Sequence, residues 1–176
     1  MKRLLSGLLS GLCATAPMTL VMVIVHRLLP GDEQYPLPPY EIAREMSEGA
    51  GAEQHADDEQ EHVQLALISH FAFGAGAGGV YGLLGKAIPL SGAPGGIVYG
   101  LVVWGVNYLG LLPATGLYHS PVREPLGRHA MMIAAHVVWG AVLGLLFQEL
   151  VQDPKQPAAA GQQRPTMPAT GERYSF

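Results

Sequence analysis

Four long apolar stretches alternate with polar segments along the chain. Each stretch has no Asp, Glu, Lys or Arg until its ends, and each reaches the roughly 20 residues that a helix needs to cross a bilayer. Because backbone N–H and C=O groups find no partners in lipid, all four stretches should be helical. The predicted spans are residues 4–25, 63–85, 94–113 and 129–150.

The polar segments differ in character. The loop 29–62 holds most of the acidic residues, and apolar residues at i,i+4 spacing within 40–47 predict a short helix on the membrane surface. Residues 152–176 are rich in Pro, Gln and Ala and show no periodicity, so we predict a disordered tail. The predicted fold is therefore an all-α membrane protein with a four-helix transmembrane domain over residues 1–151.

The N-terminal apolar run resembles a signal peptide, but we interpret it as an uncleaved first span. Pro17 would directly follow the cleavage site, and the apolar run continues well beyond it. The distribution of positive charges near the span ends places both termini in the cytoplasm and the acidic loop outside. In this orientation the inner side carries Lys2, Arg3, Lys86 and Lys155, and the outer side carries Arg27, Arg123 and Arg128.

Two of the spans share one pattern, His-x-x-aromatic-Gly-Ala-x-x-Gly-x-x-aromatic, which begins at His70 and again at His136. The repeat indicates two related helical hairpins about a pseudo-two-fold axis along the membrane normal. The first and third spans also share a short Gly-x-x-x-Gly-Leu motif, beginning at Gly7 and Gly96. Glycine at every fourth position predicts close helix packing, although it could instead leave a slot for a flat ligand. These glycines are Gly74, Gly78, Gly82, Gly140 and Gly144.

The two histidines predict a polar layer within the membrane. An ionisable ring in hydrocarbon is costly, so His70 and His136 should face other helices or water. At about 1.5 Å of rise per residue, Asn107 and Thr19 lie at the same depth as the histidines, below the outer ends of their helices. The predicted layer therefore contains His70, His136, Asn107 and Thr19.

Three explanations of this layer stay open. The simplest is interhelical hydrogen bonding that serves packing. The second is binding or passage of a small solute or proton, because histidine titrates near neutrality. The third is ligation of haem b by His70 and His136, which lie at equal depth on different helices and each precede a glycine by four residues. A divalent metal could also bind at His55 and His62 in the acidic loop, although a solvated charged face is the commoner explanation.

The chain carries no recognisable catalytic motif. It has no phosphate-binding loop, nucleophile elbow or metalloprotease helix, so no catalytic residue and no enzymatic activity is predicted. With a net charge of −4, the chain is not expected to bind nucleic acid. The expected partner is the lipid bilayer. A homo-oligomer, or a role as a structural or accessory subunit that docks to a larger membrane complex by its glycine stripes, is the alternative.

Five motifs lie within residues 4–150. They are Ala14-Thr15-Ala16-Pro17-Met18-Thr19, Leu37-Pro38-Pro39, His70-Phe-Ala-Phe-Gly-Ala, the run from Trp104 through Asn107 and Tyr108 to Pro113, and Ala135-His136-x-x-Trp139-Gly140. Together they resemble those of the YagU-like family of bacterial inner-membrane proteins of unknown function. The resemblance implies a multi-pass protein of the bacterial inner membrane, and it supplies no catalytic residue.

Overall fold

The computed structural model describes residues 1–49, 59–85, 87–88, 90–115 and 124–151, and within them all regular structure is helical. The elements are α1 (Lys2–His26), a 3-10 turn (Gly31–Glu33), α2 (Pro38–Gly49), α3 (Glu59–Leu84), α4 (Gly92–Trp104), a π-helical segment (Gly105–Leu111), α5 (Leu112–Thr115) and α6 (Leu126–Val151). We call the end of the molecule that carries α2 the α2 end.

Four helical segments are long and apolar enough to cross a membrane, which confirms the predicted fold class. They are Lys2–His26, His62–Leu84, Gly92–Thr115 and Leu126–Val151. Every end lies within three residues of its predicted position.

The third span departs from a uniform α-helix, because it continues beyond Trp104 as a π-helical segment. Asn107 gives a physical reason: its side-chain Nδ2 donates to the carbonyl of Val103, 2.9 Å away. A side chain that donates to a backbone carbonyl competes with the backbone N–H groups of the helix, and this disturbs their regular hydrogen bonding. The disturbance brings Asn107 and its neighbour Tyr108 to the interior of the protein.

The described part of the loop 29–62 contains the predicted surface helix, which is longer than predicted and spans Pro38–Gly49. Proline is favoured in a first helical turn because its missing N–H has no partner there in any case. Several predictions fall outside the described residues: the disordered tail 152–176, the metal ligand His55, and the orienting charges Lys86, Arg123 and Lys155.

Three sides of the four-helix arrangement are closed by helix packing. Helix α1 packs against both α3 and α6, α6 also packs against α4, and α2 lies on α3. On the fourth side, between α3 and α4, the described residues meet mainly through tyrosines. The hydroxyl of Tyr99 donates to the carbonyl of Ala77 at 2.7 Å, and the rings of Tyr81 and Tyr99 lie 5.1 Å apart.

Backbone contact between glycines holds each hairpin together. In the α1–α3 hairpin, a Cβ atom on Gly11 would lie 2.8 Å from the Cα of Gly78. In the α4–α6 hairpin, a Cβ atom on Gly96 would lie 2.8 Å from the backbone nitrogen of Gly144. Real side chains do not approach a backbone so closely, so these crossings require glycine. In lipid, where apolar side chains gain nothing by leaving water, such close van der Waals contact is a main source of helix association.

The two hairpins make equivalent glycine contacts, and these contacts fix the register of the repeat. Gly11 of α1 corresponds to Gly96 of α4, which lies 85 positions later, and Gly74 of α3 corresponds to Gly140 of α6, which lies 66 positions later. The match between Gly7 and Gly96 seen in the sequence is therefore wrong by one helical turn. The sequence match paired two Gly-x-x-x-Gly motifs that lie one helical turn apart in the register of the repeat.

The outward faces of the spans are apolar and exposed. Leu9 is 54% exposed, Val102 55% and Leu145 52%. A contiguous apolar surface of this kind would associate in water, whereas lipid tails cover it without cost. The exposure pattern therefore agrees with a multi-pass membrane protein.

We expect Gly78→Ala to destabilise the protein by about 2 kcal/mol, because overpacking against a backbone that cannot move aside carries costs of this order. The matched control is Gly76→Ala on the same helix, where a Cβ atom would meet nothing within 4 Å. This control should leave the free energy of unfolding unchanged or raise it by up to about 1 kcal/mol, because alanine favours a helix more than glycine does. Unfolding of the purified variants by SDS in mixed micelles measures both, and equal stabilities would contradict the proposed glycine contact.

Candidate functional site

The four spans enclose a cavity of about 240 Å³ at the α2 end. Every span contributes to its walls, and α2 covers it from above. The lining residues are Thr15, Met18 and Met22 of α1; Pro38, Pro39 and Ile42 of α2; Ser69, His70, Phe73 and Gly74 of α3; Val103, Trp104, Asn107 and Tyr108 of α4 and the π-helical segment; and Met132, His136 and Trp139 of α6.

Three of the four residues predicted to form a polar layer line this one cavity. His70, His136 and Asn107 come from three different elements and meet at its walls. Thr19 does not line the cavity, and its hydroxyl donates to the carbonyl of Thr15 at 2.8 Å. Thr15 lines the cavity instead; it lies one helical turn before Thr19, on nearly the same face of α1.

The histidines present polar atoms to an otherwise apolar space. The Nδ1 atom of His136 lies 2.8 Å from the carbonyl oxygen of Met132. A carbonyl can only accept, so this nitrogen carries the hydrogen, and the Nε2 atom of the neutral ring is an acceptor. Among the described residues, the buried Nε2 of His70 and the buried Nε1 of Trp104 have no hydrogen-bond partner. Buried polar atoms without partners are costly, so a ligand or water that met them would be stabilised.

Half of the remaining lining residues are methionine or aromatic. Met18, Met22 and Met132 contribute flexible, polarisable side chains, which adapt their shape to a ligand. The rings of Trp104 and Tyr108 are stacked, with centroids 5.9 Å apart. An apolar cavity of roughly 150 Å³ already accommodates benzene, so this larger cavity has room for a molecule bigger than a single unsubstituted ring.

The floor of the cavity, on the side away from α2, is closed by a tryptophan. Trp139 is 2% exposed, and its Nε1 donates to the carbonyl of Gly11 at 3.3 Å. The same carbonyl accepts the hydroxyl of Thr15 at 2.9 Å. The bond from Trp139 joins α6 to α1 beneath the cavity.

A buried arginine fixes the roof. Arg128, in the first turn of α6, is 1% exposed and pairs with Glu124 at 2.8 Å. Its guanidinium also donates to the carbonyls of Glu33 (3.3 Å), Tyr35 (2.9 Å) and Pro36 (3.0 Å). Charge-assisted hydrogen bonds of this kind are stronger than neutral ones and specify one geometry.

Tyr35 completes a group of contacts around Arg128 and Glu124, which we call the arginine cluster. Its ring lies under the guanidinium of Arg128, 3.6 Å from ring centroid to Cζ, and its hydroxyl donates to the carboxylate of Glu124. Burial and this hydrogen bond raise the pKa of the Tyr35 phenol above its ordinary value, so the hydroxyl stays protonated and remains a donor. The Nε2 of His26 donates to the carbonyl of Tyr35 at 2.9 Å, which ties the end of α1 to the same cluster.

The arginine cluster lies immediately before the residues of α2 that cover the cavity, Pro38, Pro39 and Ile42. Arg128 therefore positions the roof, although the sequence analysis used it only as a charge for orientation. The sequence did offer one indication that Arg128 is paired: Glu124 lies four residues earlier, which is the spacing of an ion pair along a helix. The carbonyl partners of the guanidinium had no signal, because they lie more than ninety residues away in the chain.

The described residues add no further ligand to those proposed from sequence for a metal ion or haem. Across the described ranges, no group of three or more His, Cys, Asp or Glu residues could hold a metal ion. His62, on α3, lies beside the ring of Tyr40, with centroids 6.1 Å apart. Haem b and a divalent metal therefore stay predictions.

We expect Arg128→Gln to destabilise the protein by about 3 kcal/mol, because removing one partner of a buried ion pair leaves the other charge uncompensated. Arg44→Gln on α2 is the matched control, since the side chain of Arg44 is 54% exposed, and it should cost less than about 0.5 kcal/mol. Both values follow from SDS unfolding in mixed micelles. Indistinguishable variants would show that the cluster does not hold the roof in place.

A family model described as "Protein of unknown function (DUF1440)" matches residues 19–145 of the chain. The match covers more than two thirds of the 176 residues and includes α2, both cavity histidines and the arginine cluster. No curated protein and no solved structure matches the chain.

Proposed function

The chain belongs to the DUF1440 family of proteins of unknown function, and we propose that it binds a small, mostly apolar solute in the cavity at the α2 end. One observation carries this proposal: His70, His136 and Asn107 line a cavity whose other walls are largely apolar. Ligand sites in proteins commonly combine an apolar surface with a few polar groups that fix orientation.

The lining residues suggest how such a solute would be held. The methionines and tryptophans would cover its apolar body, while the unpartnered nitrogens of His70 and Trp104 would hydrogen-bond to its polar groups. The proposed binding residues are His70, His136 and Asn107, together with Trp104. Thr19, which lies outside the lining, contributes only through its bond to Thr15.

Binding is better supported than passage of a solute or proton. A conducting path would have to continue from the cavity towards the opposite end of the molecule, where Trp139 and its bond to the Gly11 carbonyl lie across it. The accessory-subunit hypothesis would need a docking surface other than the glycine stripes, because Gly74, Gly78 and Gly144 are in contact within the hairpins. Bis-histidine haem b is tested directly by the visible absorption spectrum of the purified protein.

The proposed location is the bacterial inner membrane, with both termini in the cytoplasm and the α2 end facing the periplasm. Lys2 and Arg3 at the opposite end of α1 support this orientation through the excess of positive charge expected on cytoplasmic ends. The resemblance to the YagU-like family supports the inner membrane. In this arrangement the cavity lies in the outer half of the bilayer, and the lipid itself is a partner of the protein.

We expect Val103→Phe to abolish ligand binding, because Val103 lines the cavity and a phenyl ring there would occupy its volume. The matched control is Val102→Phe, since Val102 is the preceding residue and is 55% exposed on the lipid-facing side. The probe is N-phenyl-1-naphthylamine, an uncharged aromatic dye. Its emission is excited by energy transfer from Trp104 and Trp139, the two tryptophans of the chain, both of which line the cavity.

The wild-type protein and Val102→Phe should give saturable dye emission with dissociation constants within about twofold of each other. Val103→Phe should bind about tenfold more weakly or not at all, as expected for overpacking costs of 1–3 kcal/mol. The proposed function fails if the wild-type protein shows no saturable signal. It also fails if the two variants bind the dye equally well.

A further inference from the structure

The repeat creates two equivalent helix interfaces, and only one of them is closed along its length. The α1–α6 interface contains Ala14 and Leu143, both 0% exposed. In the register fixed by the glycines, the equivalent residues at the α3–α4 interface are Tyr99 and Ala77. The hydroxyl of Tyr99 donates to the carbonyl of Ala77 at 2.7 Å. A tyrosine in the place of an alanine holds α4 away from α3.

The cavity opens sideways on the α2 side of this tyrosine. Trp139 and Phe73 are equivalent in the repeat, and both line the cavity. Trp139 lies in the closed interface and is 2% exposed, whereas Phe73 is 51% exposed. The opening at Phe73 lies between α3 and α4, within two segments that are apolar enough to span the membrane. It therefore faces the hydrocarbon of the bilayer.

Among the described residues, the other approaches to the cavity are covered. Pro38 and Pro39 of α2 lie above it, and the segment before them is fixed by Arg128. Trp139 closes it below through the bond to Gly11. A solute would thus reach the cavity from the lipid, so it must itself be lipid-soluble.

Two unpartnered nitrogens belong to residues of different helices, His70 on α3 and Trp104 on α4. Both residues line the cavity, and neither buried nitrogen has a hydrogen-bond partner among the described residues. The indole N–H can only donate, and the His70 Nε2 donates in one of its two neutral tautomers. Two donors from different helices, in a cavity that is also lined by stacked aromatic rings, suit a flat ring with two acceptor oxygens.

Resting on the proposed binding function, we propose that the ligand is the head group of a lipid-soluble quinone that reaches the cavity from the bilayer between α3 and α4. One carbonyl oxygen accepts from His70 Nε2 and the other from Trp104 Nε1. The ring lies against the aromatic and methionine side chains. The tail passes Phe73 and remains in the lipid.

The experiment measures displacement of N-phenyl-1-naphthylamine from the full chain in lipid nanodiscs. The competitors are decyl-1,4-benzoquinone and decylbenzene, which share a ring and a tail but differ in the two oxygens. With concentrations expressed per lipid, the quinone should displace the dye at about tenfold lower concentration, as two neutral hydrogen bonds would give. The variant Val102→Phe should reproduce the wild-type result.

Two variants test the assigned nitrogens. His70→Phe and Trp104→Phe each keep an aromatic ring and remove the donor. Each should reduce the advantage of the quinone by about threefold to fivefold, while displacement by decylbenzene stays unchanged. Dye binding by each variant shows that its cavity is intact.

The outcomes separate the two proposals. If the dye binds but both competitors displace it equally, the quinone inference is overturned and the proposed binding function stands. If both variants keep the full advantage of the quinone, the assignment of His70 and Trp104 is overturned. If the wild-type protein does not bind the dye saturably, the proposed function itself is lost.

Discussion

The structure depends on contact between helix backbones at glycine. Gly11 against Gly78 and Gly96 against Gly144 bring two pairs of helices closer than any side chain would allow. In lipid, apolar side chains gain nothing by leaving one apolar environment for another, so close packing must supply the association. Each hairpin is thereby a defined unit before the two hairpins meet. The interface between them, α1 against α6, is then fixed by Trp139 and its bond to the Gly11 carbonyl.

Two similar hairpins could have produced a symmetric and closed bundle, and side-chain size is what prevents this. The interface with Ala14 and Leu143 closes, whereas the equivalent interface with Tyr99 and Ala77 is bridged by tyrosines. The cavity is the space that this difference leaves. The repeat thus provides two equivalent interfaces at which a site could form. Tyr99, which stands where the repeat has Ala14, determines that the site forms at the α3–α4 interface.

The predictions from sequence succeeded for features that depend on length along the helix axis. Span length follows from bilayer thickness, so the ends of all four spans were predicted to within three residues. Depth along a helix was also the basis for grouping His70, His136 and Asn107, which line one cavity in the structure. Thr19 was chosen where Thr15 lines the cavity, because span ends predicted from sequence are uncertain by about two to four residues, or one helical turn.

The features that were missed depend on contacts that the sequence does not mark. The carbonyl partners of Arg128 lie in a distant loop, and no residue type announces a carbonyl that accepts from a guanidinium. The glycine register was wrong by one turn because successive Gly-x-x-x-Gly steps look alike in sequence. Only the contacts of α6 with α4 distinguish them.

The arginine cluster and the glycine crossings together decide which wall of the cavity can adjust. A buried ion pair contributes little net stability, because the cost of removing its charges from water offsets their attraction. Its value here is geometric: Arg128 holds the roof in one position, as glycine contact holds the α1–α3 and α4–α6 walls. Among the described elements, the α3–α4 side has the weakest connection, the bond from Tyr99 to Ala77. A ligand that arrives there meets a site with three walls and a roof already formed, so little of its binding free energy is lost in ordering the protein.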